Sequence, residues 1–137
     1  MAKTSIACIA ISGKKVLVAH RNPTGQMGGR WEFPGGKVEP GETDQAAIIR
    51  EMDEEFGIQV VPGELIAQAS FFHNDEEVAL HCYRMFVPHD GIQSAYRLTE
   101  HSEYRWADVS EIPGLPFVDS DRALYEAVKA YVERSTE

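Results

Sequence analysis

No apolar run in the chain is long enough to cross a bilayer. The longest, Ile6–Ile11, falls far short of the roughly 20 residues that a spanning helix needs. The same stretch, preceded by one lysine, is too short for the core of a secretory signal, so a cytoplasmic protein with no membrane partner is expected. Positive charge is scarce: 13 Lys and Arg stand against 22 Asp and Glu, a net charge of −9. That balance argues against a nucleic-acid polymer as partner, because such binding neutralises phosphates with clustered cations. Cysteine is almost absent. Cys8 and Cys82 lie in apolar, strand-like surroundings and read as small buried thiols in a reducing compartment. With the five histidines they show no zinc-ligand spacing, and no EF-hand loop is present.

Nothing in the composition suggests a linker, an internal repeat or low complexity, and 137 residues suit one domain, 1–137. Ser5–Ala19 reads as a hairpin turning at Ser12-Gly13-Lys14-Lys15. A polar, glycine-rich loop follows over 20–30, then a short extended piece, Trp31-Glu32-Phe33, stopped by Pro34-Gly35-Gly36. A helix is predicted from Thr43 to Phe56 with Gly57 as its C-terminal cap. Two strands, Leu65–Phe72 and Val78–Val87, flank a charged turn, and another strand is expected near Tyr104-Arg105-Trp106. A last helix over about Ser120–Val132 places Ala123, Leu124, Ala127, Val128 and Tyr131 on one stripe. Strands and helices mixed around one core give an α/β or α+β class.

At about 100° per residue, Ala46, Ile49, Met52 and Phe56 form an apolar stripe on the first helix. Glu51, Glu54 and Glu55 fall on the opposite side, bordered by Arg50. Like charges at i,i+3 and i,i+4 cost roughly 0.2–0.5 kcal/mol each, and the C-terminal half of a helix favours cations instead. A local rule broken without evident gain often marks a functional site. A hard divalent cation would compensate, since it takes carboxylate oxygens. The bare backbone of Pro34-Gly35-Gly36 could approach such an ion closely.

Written out, the stretch is Gly36, five residues, Glu42, seven residues, then Arg50-Glu51-Met52-Asp53-Glu54-Glu55-Phe56-Gly57-Ile58. It resembles the Nudix box, Gly-x5-Glu-x7-Arg-Glu-U-x-Glu-Glu-x-Gly-U with U bulky and aliphatic, at every position. Trp31-Glu32-Phe33-Pro34-Gly35-Gly36-Lys37 is similar to the entry segment of the MutT-like branch. The likeness runs loosely from Ile6 to Val128. It implies the Nudix α/β/α sandwich, with a mixed sheet between helices. It also implies a metal-dependent hydrolase of nucleoside diphosphate derivatives; MutT-like members convert a nucleoside triphosphate to monophosphate and pyrophosphate.

The resemblance assigns roles residue by residue. Glu51, Glu54 and Glu55 are the metal ligands, for Mg2+ with Mn2+ as the alternative, and the Gly35 carbonyl is a further one. Arg50 holds a glutamate in place, and Glu42 braces the loop against the helix. Glu100 is the candidate to orient or deprotonate water or to bind a further metal, with Glu103 as its alternative and a solvated loop glutamate as the plain reading of either. Arg21 falls on the arginine that MutT-like members carry and suits the phosphates, while Arg30 and Lys37 read equally as phosphate clamps or as plain surface solubility. Phe33 or another aromatic is the candidate to stack on the base, and Asp121 falls where MutT-like enzymes read it, with a plain helix-start residue as the alternative.

The base itself stays open. Markers of ADP-ribose, dinucleoside-polyphosphate, NADH and coenzyme A hydrolases have no counterpart past the box. Asp121 replaces the asparagine of MutT, while His73 and Glu76 depart from its phenylalanine and arginine, which weakens 8-oxo-dGTP. Leu80-His81-Cys82-Tyr83 is similar instead to the related CTP pyrophosphohydrolases. Both substrates are carried forward. So are a non-catalytic nucleotide-binding module and a hydrolase of another nucleoside diphosphate derivative. The partner is a small nucleotide, and the oligomeric state is open.

Overall fold

The computed structural model describes residues 3–21, 29–87 and 101–135; of 21, 101–103 and 135 it describes the backbone alone. Strand β1 (Lys3–Ile9) lies inside a four-stranded sheet of order β5-β1-β7-β6, with β5 (Gly35–Lys37), β6 (Val61–His73) and β7 (Glu76–Phe86). β1 and β7 run parallel, whereas β1–β5 and β6–β7 are antiparallel, so the sheet is mixed. The second sheet is built on β3 (Lys15–Arg21), which pairs with β2 (Ile11–Ser12), β4 (Trp31–Glu32) and β8 (His101–Asp108).

Helices cover both sides. On one, Ile6, Cys8, Ala10, Leu17 and Ala19 pack against Ala47, Ile48, Met52 and Phe56 of α1 (Asp44–Phe56). On the other, Ala7, Ile9, Val16, Val18, Leu80 and Cys82 meet a 3-10 turn (Val109–Gly114) through Val109, the turn after α2 (Asp119–Arg122) through Leu124, and α3 (Tyr125–Ser135) through Val128 and Val132. The layers form an α/β/α sandwich. Among the described residues no helix is long and apolar enough to cross a membrane.

The expected Ser5–Ala19 hairpin is replaced by something shorter. Only Ile11-Ser12 turns back onto Lys15-Val16, through Gly13 at φ 63. β1 itself is buried on both faces, from Ile6 to Ile9, which is the mark of a central strand. Its partner β7 lies far away in sequence, so no local turn signal announces the pairing. Pro34 is the stop, and Gly35-Gly36 continue as strand rather than ending one.

The β6–β7 hairpin turns at Asn74-Asp75, both with positive φ (51 and 64). That is the residue chemistry a two-residue turn between right-twisted strands requires. The last helix is broken. Arg122 donates to the carbonyls of Phe117 and Leu115, Asp121 turns inward, and α3 starts only after Ala123-Leu124. Leu124, Val128 and Tyr131 are buried as the stripe requires, but Ala123 is exposed and Ala127 only half-buried.

Cys8 and Cys82 sit on neighbouring strands but belong to opposite faces, in the two different core clusters, and both are free and buried. Burial pushes both thiols up, Cys82 to about 12 and Cys8 well above its ordinary value. The thiolate is the reactive form. The native chain should therefore give no fast thiol reaction with an aromatic disulfide reagent at pH 8, and two thiols per chain after denaturation. A fast-reacting thiol in the folded protein would contradict this packing.

Candidate active site

The acidic face is carried by a helix that is well made in every other respect. Thr43 caps its N-terminus, accepting from Ala46 N–H (3.1 Å). Gly57 closes it in the left-handed region (φ 69), its N–H donating to Asp53 O at 3.0 Å. A cap contributes about 1 kcal/mol, and burying Met52 and Phe56 roughly 1.5–3 kcal/mol each. These exceed a few like-charge pairs at roughly 0.2–0.5 kcal/mol, so the helix survives its own repulsion.

The buried face is rotated from the expected one. Ile48, Met52 and Phe56, spaced i, i+4 and i+8, form the ridge on the sheet, with Ala47 beside it. Ala46 is exposed and Ile49 is 39% exposed. Four consecutive apolar residues, Ala46-Ala47-Ile48-Ile49, allow either phase, and packing selects the i+4 ridge. As a result Glu55 is not on the solvent side with its neighbours: it is 2% exposed. The three glutamates thus lie at three depths, with the Glu54 side chain 61% exposed, Glu51 at 14% and Glu55 buried.

Arg50 ties this face to the loop before it. Its Nε donates to Glu42 Oε2 (2.8 Å) and its Nη2 to Glu42 Oε1 (3.0 Å), a bidentate fork. Nη2 also donates to the Lys37 carbonyl (2.9 Å), while Nη1 reaches Glu51 (3.3 Å) and Glu54 (3.2 Å). Glu42 Oε1 accepts from Glu39 N–H as well (2.9 Å). One guanidinium therefore crosslinks loop and helix and supplies positive charge to the carboxylates.

The glycine pair completes the arrangement. Gly35 and Gly36 stand opposite Ala7 and Ile6 of β1. A Cβ on Gly35 would collide with the Ile6 carbonyl, and one on Gly36 with the Glu51 carboxylate. The absence of side chains is what lets Glu51 lie against the β5 backbone. Cys8 N–H donates to Pro34 O (2.7 Å), and Phe33 N–H donates to Asp121 Oδ2 (2.8 Å). Asp121, 6% exposed, therefore anchors the strand that leads into the glycine pair. Phe33 is buried and packs edge-on against Phe117 at 5.1 Å.

The remaining expected residues divide. Lys37 is exposed, next to Gly36. Arg30 donates to the Phe117 carbonyl (3.2 Å). Glu100 lies outside the described residues, as do the side chains of Arg21 and Glu103; the Glu103 backbone, on β8, pairs with His20 of β3. The sequence reading missed one cluster. Asp44 Oδ2, in the first turn of α1, accepts from Tyr83 OH and lies 2.7 Å from each of Tyr83 OH and His81 Nδ1. Residues 81 and 83 share a strand face by period two, but nothing in the sequence pairs that face with Asp44. Burial and the bond to Asp44 push Tyr83 up to about 12.

Among the described residues no three His, Cys, Asp or Glu side chains already surround a common point; Arg50 stands between Glu51 and Glu54 instead. The donor set nevertheless fits a hard divalent cation. It is all oxygen, drawn from three carboxylates within about one turn, beside a backbone that glycine leaves bare.

The Arg50 fork, with the Glu39 N–H, holds the Glu42 carboxyl down at about 2. A depressed carboxylate adds stability that is complete above its unfolded pKa, about 4.3, and lost as pH falls through the folded one. In chelator, Glu42→Gln should therefore melt below wild type at pH 6–7. The gap should shrink between about pH 4 and pH 2. A gap independent of pH in thermal unfolding would show that the fork adds nothing electrostatic.

A sequence profile of the NUDIX domain matches residues 1–128. The CTP pyrophosphohydrolase of Escherichia coli (strain K12) is 33% identical over 125 residues, covering 91% of this chain and 90% of its own. The 8-oxo-dGTP diphosphatase of Proteus vulgaris is 40% identical over 80 residues, 57% of this chain and 71% of its own. The crystal structure of a MutT protein from Methanosarcina mazei Go1 superposes with a TM-score of 0.80 at 27% identity, covering 95% of this chain and 94% of that one. With the unbroken box on α1 and the same sandwich around it, the chain belongs to the Nudix family.

Proposed function

We propose that this chain is a metal-dependent nucleoside triphosphate pyrophosphohydrolase of the MutT-like kind. It would convert a nucleoside or deoxynucleoside triphosphate and water to the monophosphate and pyrophosphate. The observation that carries the reading is the carboxylate face of α1, tied by Arg50 to the loop and seated against Gly36. Nudix hydrolases generally need a divalent cation. Glu51, Glu54 and Glu55, with the Gly35 carbonyl, are assigned to hold it, as Mg2+ or alternatively Mn2+. When bound, such an ion reverses the sign that would repel a polyphosphate, polarises the phosphoryl group and lowers the pKa of the attacking water.

The chain's own residues do the rest. Arg50 keeps Glu51 and Glu54 converged and its charge screens their repulsion. Glu42 fixes Arg50, and through it the Lys37 carbonyl and the glycine pair. Arg21 and Lys37 are assigned to the phosphates. Phe33 and Asp121 are assigned to the nucleoside end, where Asp121 holds the Phe33 backbone. Glu100 is assigned to the water, with Glu103 as its alternative. A single domain working on small nucleotides in the cytoplasm, and removing unwanted ones from the pool, fits these assignments. CTP and 8-oxo-dGTP are the two substrates to try first, since relatives are named for each.

With magnesium, one of these nucleotides should yield monophosphate and pyrophosphate in equal amounts, and excess chelator should stop the reaction. Glu54→Gln should fold normally yet lose at least about a hundredfold in kcat, because several kcal/mol of charge stabilisation depend on the metal cluster. Product chromatography and circular dichroism check both points. Orthophosphate as first product, or full activity in the variant, would contradict the mechanism. Nucleotide binding without any turnover would favour a non-catalytic module.

A further inference from the structure

β6 closes one side of its sheet: β7 pairs with one of its edges, and among the described residues no strand pairs with the other. Such an edge presents a row of unmatched N–H and C=O groups, which proteins blunt with charge, proline, bulges or brevity. Two other open edges are blunted in these ways. β5 offers three residues, and β8, paired to β3 alone, carries Glu103, Arg105 and Asp108. On β6 the protection is confined to its start, where Pro62 and two register shifts between Pro62 and Ala67 bend the strand. From Ala67 to His73 the pairing with β7 is regular. The stretch Leu65–Phe72 holds no charged residue, in a chain that is 26% charged, and Phe72 is 73% exposed.

The turn at the end of β6 sets which residues face outward. A two-residue turn closes through the pair that flanks it, here His73 and Glu76. Hydrogen-bonded and non-hydrogen-bonded pairs alternate along an antiparallel ladder, so Ala69 and Phe71 bond inward to β7. Gln68, Ser70 and Phe72 then turn their N–H and C=O groups to the open edge. Their side chains share one exposed face, whereas Ala69 and Phe71 pack on the core. A second β6 running antiparallel mates all three outward residues in a single register: Ser70 faces Ser70, and Gln68 faces Phe72 on either side. Three pairs with two bonds each give about six hydrogen bonds across the seam. That register keeps like faces together and brings two small hydroxyls to the axis. At a net charge of −9, two copies repel over most of their surface, and a strip without charge is where they can approach.

We propose that β6 pairs with β6 of a second copy of this chain, antiparallel about a twofold axis at Ser70, so that two four-stranded sheets become one of eight strands. The contact is isologous, each copy giving the strand it receives. β5 and β6 stand at opposite ends of the sheet, so the seam lies away from Gly36 and Glu51 and each copy keeps its own site. The pairing is independent of which reaction that site performs.

The test is sedimentation of wild type, Ser70→Lys, Ser70→Glu and an equal mixture of the two variants. Ser70 is exposed, so both substitutions should leave the fold intact, which circular dichroism checks. Wild type should sediment at about twice the chain mass of 15.3 kDa. Each variant alone places like charges directly opposite one another at the axis, which is destabilising, and should sediment at 15.3 kDa. In the mixture a lysine meets a glutamate across the axis, and the doubled mass should return. A wild type that stays at 15.3 kDa up to about 1 mM, where only the weakest association would be missed, would overturn the proposal. So would a dimer that persists in both variants, since another surface then holds it. Variants that remain single when mixed would overturn it as well, because opposite charges would then not be meeting at Ser70.

Discussion

The site depends on one guanidinium. Arg50 lies within hydrogen-bond reach of Glu42, Glu51 and Glu54, and of the Lys37 carbonyl, so it is at once a mechanical strut and a counter-charge. The last turn of α1 carries no basic residue, at the end where the macrodipole disfavours anions, so the countering charge comes from Arg50. Lysine could supply the charge but not the fork, since an ammonium cannot grip Glu42 bidentately and still donate sideways. The raised pKa of Arg50 and the lowered one of Glu42 have the same physical cause, each holding the other charged.

Steric permission from the glycine pair is the second requirement. β5 passes close to β1 on one side and to Glu51 on the other, and any Cβ at either position would push one of them away. The sheet edge thereby becomes a thin partition. On its α1 side Gly36 lies against Glu51, while Lys37 lines the other side. Asp121 and Cys8 hold the strand leading into that partition from opposite directions, through the Phe33 N–H and the Pro34 carbonyl.

Much of this was legible in the sequence, because the box is a pattern of chemistry at fixed spacing and needs no knowledge of packing. The Thr43 and Gly57 ends of α1 and the β6–β7 hairpin follow from local signals, the family resemblance follows from the box, and the sandwich comes only with that resemblance. What failed depended on tertiary choice. Ala46-Ala47-Ile48-Ile49 leaves the helix phase ambiguous, so the pattern groups Glu55 with Glu51 and Glu54 away from the apolar stripe, whereas it is buried. β1 reads as half of a hairpin because its parallel partner lies some seventy residues away. The break at Ala123-Leu124 follows from Asp121 turning in toward Phe33, a contact between residues 88 positions apart. The Lys3–Glu76 pair likewise arises only when distant strands meet, as Lys3 Nζ donates to Glu76 Oε1 at 2.9 Å.

The central claim is that the self-repelling face of α1 is compensated by a divalent cation, and thermal unfolding against magnesium concentration tests it directly. Wild type should gain stability in proportion to the logarithm of free metal above its dissociation constant, as expected for an ion that binds only the folded chain. Glu51→Gln removes a repulsion but also a partner of Arg50, so its midpoint in chelator serves as its own baseline, from which it should gain much less on adding magnesium. A wild-type midpoint indifferent to magnesium, or an equal gain in both proteins, would contradict the account.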